Sequence, residues 1–248
     1  MKIIISGIGG RMGAEVAKLA RDGFRGASLL AGVDMKEVDF DCKVYHSFDE
    51  IDESADCVID FSHHSATKAL LGYCVSSRTP VVVATTGQTD EELLMIDEAA
   101  RYIPVFRSAN MSLGVALLVE LAKIAVKTMP DADIVIIEKH HNRKLDAPSG
   151  TALLIADAIK TVREKAKYVF GRGGNCPRGK DDIGIHAVRM GNIVGEHEVI
   201  VGTDSQTITL KHEAHTRALF AEGALCAAQF IIGKDAGLYN MQDMIEQG

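Results

Sequence analysis

The most restrictive feature of this chain lies at its start. A β-branched run from Lys2 to Ser6 is ended at once by Gly7-Ile8-Gly9-Gly10-Arg11-Met12-Gly13. A short apolar run closed by glycine reads as a buried strand entering a sharp turn. Met12, Val16, Leu19 and Ala20 then recur at helical spacing, so the order is strand, glycine turn, helix. Glycines at 7, 10 and 13 make G-x-x-G-x-x-G, a variant of the fingerprint in which glycine lets the backbone turn tightly and approach a pyrophosphate at a helix N-terminus. Alone, such a turn is a weak signal. It is strengthened by Asp34, which ends a second apolar strand, Ala27 to Val33, about 20 residues on, where a carboxylate accepts from the adenosine ribose hydroxyls. An acid there favours NADH, whereas a 2′-phosphate wants a cation such as Lys36 close by. The pattern leans to NADH and leaves NADPH open.

The alternation continues along the first half of the chain. Cys57 to Phe61, Pro80 to Ala84 and Pro104 to Arg107 read as further strands, with helical periodicity over Ser65 to Ser76 and Asp90 to Tyr102. Thr89 followed by Asp90, Glu91 and Glu92 has the chemistry of a helix start. Strands alternating with helices predict an α/β domain with a doubly wound parallel sheet, whose ligands sit beyond the carboxyl ends of the strands. Two loops fall at such ends, Thr85-Thr86-Gly87 and Ser108-Ala109-Asn110-Met111. As bare patterns they are turn chemistry; their position makes them candidate ligand loops.

Composition narrows the partners. The 248 residues carry 27 Lys plus Arg against 34 Asp plus Glu, a net charge of −7, and no Lys/Arg-rich run. That balance argues against nucleic acid or an anionic membrane as partner, so any anion must be held by a local cluster. No apolar run approaches the roughly 18–20 residues that span a bilayer, and the N-terminus reads as a strand rather than a leader, so the mature chain is expected to begin here. The five cysteines, Cys42, Cys57, Cys74, Cys176 and Cys226, are scattered and never form C-x-x-C, which suits a reducing, cytoplasmic setting better than a disulfide framework or a zinc site.

The second candidate site follows the strand Ile134 to Ile137. The stretch Glu138-Lys139-His140-His141-Asn142-Arg143-Lys144-Leu145-Asp146-Ala147-Pro148-Ser149-Gly150-Thr151 leads into an amphipathic helix from Ala152 to about Lys165. Pro148 and Ser149 have the chemistry of a helix start, and the amides near Gly150 and Thr151 should offer an anion site. Two histidines and several cations lie directly upstream. On an extended chain His140 and His141 point to opposite sides, so one of them at most faces a shared site. Neighbouring strand positions are also poor joint metal ligands, and no metal site is expected. Acid–base chemistry by a histidine beside a bound anion is the better reading. Lys139 and Arg143, taken singly, read as solvated.

The combination of Gly7-x-x-Gly10-Arg11-Met12-Gly13 with Glu138-x-His140-His141-x-x-Lys144-x-Asp146-Ala147-Pro148-Ser149-Gly150-Thr151-Ala152 closely resembles the 4-hydroxy-tetrahydrodipicolinate reductase family. The resemblance extends to Thr85-Thr86-Gly87, Ser108-Ala109-Asn110, Ile183 to Arg189, Val194 to His197 and Gly237 to Met241, in the family's order over essentially the whole chain. It implies NADH- or NADPH-dependent reduction of a cyclic imine dicarboxylate, with loss of water, in the diaminopimelate route to lysine. It implies His140 as acid or polarising group, Lys144 as proton donor or orienting cation, and His141, Gly150 and Thr151 as substrate contacts. For the cofactor it implies Gly7, Ile8, Gly9, Gly10, Arg11, Met12, Gly13, Asp34, Phe61, Thr85, Thr86, Gly87, Ala109, Asn110 and Met111. The family often has an aromatic residue where Met111 stands. His63 and His64, after Phe61, read as surface residues. The implied architecture is a Rossmann-type dinucleotide-binding domain, residues 1–111 and 217–248, and a second α+β domain, residues 112–216, for substrate binding and assembly of a homotetramer. Other nicotinamide-dependent enzymes on this scaffold, or a non-catalytic NADH-binding protein, fit the first half alone; the His-His-x-x-Lys run with Pro-Ser-Gly-Thr disfavours both.

Overall fold

The computed structural model describes residues 1–247, which fall into two compact units, Met1–Leu113 with Arg217 onward, and Gly114–Thr216. The first unit opens with β1 (Lys2–Ser6), α1 (Arg11–Arg21), β2 (Ser28–Val33), β3 (Lys43–Tyr45) and β4 (Cys57–Asp60). It continues with α2 (Thr67–Ser77), β5 (Val81–Val83), α3 (Asp90–Ala99) and β6 (Pro104–Arg107). The chain then builds the second unit from α4 (Leu113–Thr128), β7 (Asp133–His140), α5 (Gly150–Val162), β8 (Lys167–Phe170), β9 (Asp182–Arg189), β10 (Gly195–Gly202) and β11 (Thr207–Ala214). It returns to the first through α6 (Ala218–Ile231), β12 (Gly237–Tyr239) and α7 (Met241–Gln247).

In the first unit the strand order is β12-β6-β5-β4-β1-β2-β3, and every pairing is parallel. Alternate residues of the strands serve opposite faces. Ile4, Val58, Val81 and Val83 pack with Leu70, Leu71 and Cys74 of α2 and Ile96 of α3. The intervening Ile3, Ile5, Ile59, Val82 and Phe106 are equally buried, and α1 and α6 pack together with α6 against β4, β5 and β6. Each such fully buried aliphatic side chain contributes about 1.5–3 kcal/mol of transfer free energy. α3 starts with a capping box between Thr89 and Glu92, as the acidic first turn implies. The order is that of a Rossmann-type doubly wound sheet, and it reverses between β1 and β4, the place where such sheets bind ligands. The short strands β3 and β12 lie outside the expected strands because Lys43–Tyr45 and Gly237–Tyr239, unlike the Val81–Val83 of the equally short β5, form no continuous β-branched run.

The second unit is a mixed sheet, order β11-β10-β7-β9-β8, in which β7, β9 and β8 run parallel and β10 and β11 pair antiparallel. Leu118, Val119, Ala122 and Val126 of α4 and Ala152, Ile155, Ala156 and Ile159 of α5 cover Ile134, Ile136, Ile183, Ile185, Val199 and Val201. Along β7 burial alternates strictly: Ile134, Ile136, Glu138 and His140 are buried, while Val135, Ile137 and Lys139 are half-buried. The strand runs three residues past Ile137, so two ionisable groups occupy core-facing positions. α5 begins at Gly150, two residues before the expected start, because Ser149 rather than a later residue caps it. Among the described residues no helix is long and apolar enough to cross a membrane.

Candidate functional site

Two groupings stand out, one in each unit. In the first, the chain leaves β1 with Gly7 at φ +76, a left-handed conformation open to glycine. A Cβ on Gly7 would lie 2.7 Å from the Phe61 carbonyl oxygen, and one on Gly13 would lie 2.2 Å from the Gly7 carbonyl oxygen. Both glycines are therefore demanded by close backbone approach, at the crossing from β1 to β4 and at the first turn of α1. The Asp34 carboxylate accepts from the Gly9 amide at 2.9 Å and from the Lys36 amide at 3.0 Å, which holds it beside the turn. A cleft of about 510 Å³ opens here, lined by Gly7, Gly9, Gly10, Asp34, Phe61 and His63 among others. Ile8 is fully buried against Gly32, while Arg11, Met12 and Gly13 form the first turn of α1. The glycine turn, the Asp34 carboxylate beside it and the cleft have the shape and chemistry a dinucleotide requires.

A second, smaller cleft of about 130 Å³ lies at the ends of β5 and β6, lined by Thr85, Thr86, Gly87 and Ala109. Thr85 is 8% exposed and its hydroxyl finds no protein partner. Asn110 faces inward to its own loop, its side-chain oxygen accepting from the Ser112 amide at 2.9 Å. Met111 is buried, 3% exposed, and lines neither of these clefts. His63 is exposed, as expected, at the rim of the larger cleft, whereas His64 is half-buried and its Nδ1 meets Glu92 at 2.9 Å.

In the second unit the histidine segment is organised by a residue the sequence reading left without a role. Glu138, 0% exposed, receives four donors on its two oxygens. His140 Nδ1 lies 2.6 Å and Arg189 Nη1 2.8 Å from Oε2, and Arg189 Nη2 2.7 Å and the Ser149 amide 2.9 Å from Oε1. The β7–β9 register sets His140 opposite Arg189, and the β7–β10 register sets Glu138 opposite His197. Burial raises the Glu138 carboxyl, but His140, Arg189 and the Ser149 amide together outweigh it and hold it at about 2. The His197 ring meets the His140 ring edge-on at 5.2 Å, and its Nε2 lies 3.1 Å from the Ser149 hydroxyl. Ser149 Oγ also accepts from the Ala152 amide, capping α5, so its own proton is available to His197. Burial, and then His140 beside it, push His197 down to about 4.

The cations divide between the two faces of the strand instead of converging. Lys139 points away from Glu138 and His140 and bridges Glu196 at 3.0 Å and Glu198 at 3.1 Å. Arg143 donates to the Asn192 side-chain oxygen at 2.6 Å. Lys144 stays with the histidine side, paired to Asp146 at 2.8 Å. Past the end of β7 the His141 amide donates to the Ile193 carbonyl at 2.8 Å, and His141 is half-buried where His140 is buried. The Gly150 amide at the head of α5 has no acceptor among the described residues, which leaves it available to an anion. The burial of Glu138 was legible in principle: a carboxylate at the parity of Ile134 and Ile136 on a half-covered strand must be buried, and a buried carboxylate requires donors.

Comparison with known proteins agrees with both halves. Residues 1–111 match the family model described as dihydrodipicolinate reductase, N-terminus, and residues 114–245 match dihydrodipicolinate reductase, C-terminus. A 4-hydroxy-tetrahydrodipicolinate reductase of Caldanaerobacter subterraneus subsp. tengcongensis is 49% identical over 250 residues, covering 100% of this chain and 99% of the relative. One of Clostridium tetani is 44% identical over 248 residues, covering 99% and 97%. Among solved structures, a dipicolinate-bound dihydrodipicolinate reductase from Paenisporosarcina sp. TG-14 superimposes with a TM-score of 0.81 at 24% identity, over 97% of each chain. A probable dehydrogenase from Thermotoga maritima gives a TM-score of 0.66 at 13% identity, covering 98% of this chain and 92% of that one, and shares the fold. A glycine turn answered by Asp34, a histidine–lysine segment feeding α5, and these matches across both units place the chain in the dihydrodipicolinate reductase family of pyridine-nucleotide-dependent oxidoreductases.

Proposed function

We propose that this chain reduces 4-hydroxy-tetrahydrodipicolinate to tetrahydrodipicolinate, with loss of water, using NADH in preference to NADPH. The observation that carries the reading is the second-unit segment in which His140, Lys144 and the Gly150 amide surround the entry to α5. A reductase of a dicarboxylate imine needs an acid, a cation and a carboxylate cradle, and these are the groups present. The nicotinamide supplies the hydride when bound. His140 holds the proton at Nε2, the nitrogen that Glu138 leaves open. Lys144 exchanges Asp146 for a substrate carboxylate, and the Gly150 and Thr151 amides, with His141, hold the other.

In this reading the first unit is the dinucleotide-binding domain. Gly7, Ile8, Gly9 and Gly10 shape the turn, their own amides being taken by the Val33 carbonyl, the Asp34 carboxylate and the Gly7 carbonyl, while the first-turn amides of Arg11, Met12 and Gly13 carry the pyrophosphate and Asp34 takes the ribose. Phe61, Thr85, Thr86, Gly87, Ala109 and Asn110 surround the nicotinamide, while Met111 is buried and supports the loop from beneath instead of touching the ring. NADH is favoured because the Asp34 carboxylate, held by two backbone amides, would repel a 2′-phosphate. The second unit binds substrate and carries assembly as a homotetramer, supported by a β7 face whose Val135 and Ile137 are only half covered. A cytoplasmic setting fits the five free cysteines. The test is turnover with enzymatically generated 4-hydroxy-tetrahydrodipicolinate, followed by loss of reduced-nicotinamide absorbance. Activity with a higher kcat/KM for NADH than for NADPH is expected; no turnover despite tight NADH binding would overturn the reading.

A further inference from the structure

Glu138 is fully buried and accepts four hydrogen bonds, yet nothing in the reaction outlined above calls on it directly. An ionised carboxylate accepts at about four lone-pair positions and donates nowhere. All four are taken here, by His140, the two Arg189 nitrogens and the Ser149 amide. With no position left and no exposure, Glu138 has nothing to offer a substrate. What it does control is which nitrogen of His140 works.

We infer that Glu138 is the positioning residue of the reductase, holding the His140 ring with Nδ1 protonated so that Nε2 alone serves the reaction. The inference rests on the proposed reduction for its functional meaning, but its geometry stands independently. An acceptor-only group 2.6 Å from Nδ1 requires that nitrogen to be the donor, which leaves Nε2 as the exchangeable position. Nε2 has no hydrogen-bond partner among the described residues. Beside it the chain places Gly195, where a Cβ would stand only 3.1 Å from Nε2, so the start of β10 is kept bare on that side. The same carboxylate also holds the Ser149 amide, immediately before the Gly150 cradle, and Arg189 continues to the Asp146 carbonyl at 2.6 Å. One buried anion thereby sets the spacing between the proton-carrying nitrogen, the carboxylate cradle and the loop that carries Lys144. Arg189 serves as its counter-charge, closing the Glu138 carboxylate with a bidentate fork.

The experiment has two arms. The first uses the unaltered protein labelled with 15N-histidine, with the His140 signals assigned by their loss in His140→Gln. In its neutral form the His140 ring is expected as the Nδ1–H tautomer with an unprotonated Nε2. The opposite tautomer, or fast averaging of the two, overturns the inference without any variant of Glu138. The second arm compares Glu138→Gln and Glu138→Asp with the parent enzyme. Gln can donate to Nδ1 as readily as accept, so the tautomer should become mixed, and kcat should fall by about 10²-fold with KM for the substrate changed by less than roughly threefold. Asp keeps the charge and the tautomer while retracting the carboxylate, and should recover part of kcat. A merely structural Glu138 would lower the melting temperature of both variants, leaving kcat per folded molecule and the tautomer spectrum as in the parent. Absence of turnover in the parent enzyme would instead strike the proposed reaction and leave the tautomer result standing.

Discussion

Acidification should destabilise the second unit through His197, by an amount the structure lets one estimate. The ring is 4% exposed, and burial followed by the proximity of His140 brings it from an ordinary 6.5 to about 4. Each pKa unit corresponds to about 1.36 kcal/mol, so the full effect is about 3 kcal/mol. Below 6.5 the unfolded chain takes up a proton that the folded protein refuses until about 4. The unfolded state therefore binds more protons throughout that window, and stability falls as the pH falls across it. His197→Gln keeps an acceptor for the Ser149 hydroxyl and cannot titrate. Urea unfolding read by far-UV circular dichroism suits a chain with no tryptophan. Between about pH 7 and pH 5 the parent should lose about 2 kcal/mol more than the variant, whatever the substitution costs in packing at neutrality. Glu138 adds a separate acid limb, because its stabilisation is present above 4.5 and lost as the pH falls towards about 2, but both chains share it. Parallel stability curves for parent and variant over the upper window would refute the buried, neutral His197.

Three further outcomes follow from the geometry. His140→Ala should lower kcat by about 10²–10⁴-fold while leaving NADH affinity intact, since the residue belongs to the second unit; near-parental turnover would remove it from the chemistry. Gly13→Ala would place a methyl 2.2 Å from the Gly7 carbonyl oxygen, so equilibrium titration should show NADH binding lost, with the circular dichroism of the second unit retained. Asp34→Ala should weaken NADH by about tenfold or more and narrow its advantage over NADPH, read as the ratio of kcat/KM values; an unchanged ratio would show that Asp34 does not set the preference.

Much of the first unit was readable because its signals are local. The strand, glycine turn and helix of residues 2–21 and the Thr89–Glu92 capping box each depend on residues within a few positions of one another. β3 and β12 carry no such local signal: with no run like the valines of β5, they exist only through pairing to β2 and β6. The second site divides along the same line. Ser149 as the cap of α5 and the opposite facing of His140 and Lys139 follow from helix-start chemistry and strand alternation. The apparent gathering of cations before α5 does not survive folding, since Lys139 leaves for Glu196 and Glu198 on the other face of the sheet.

A glycine turn after β1, an acid after β2 and a histidine–lysine segment leading into a helix N-terminus are legible without any structure, together with the family that combines them. Each is written in contiguous residues whose spacing alone carries the chemistry. Folding alone brings Glu138 beneath His140, the Arg189 guanidinium of β9 against its carboxylate and His197 of β10 against the ring. Those partners are 51 and 59 residues from Glu138 along the chain, and strand register alone sets them opposite one another, so no local pattern records the meeting.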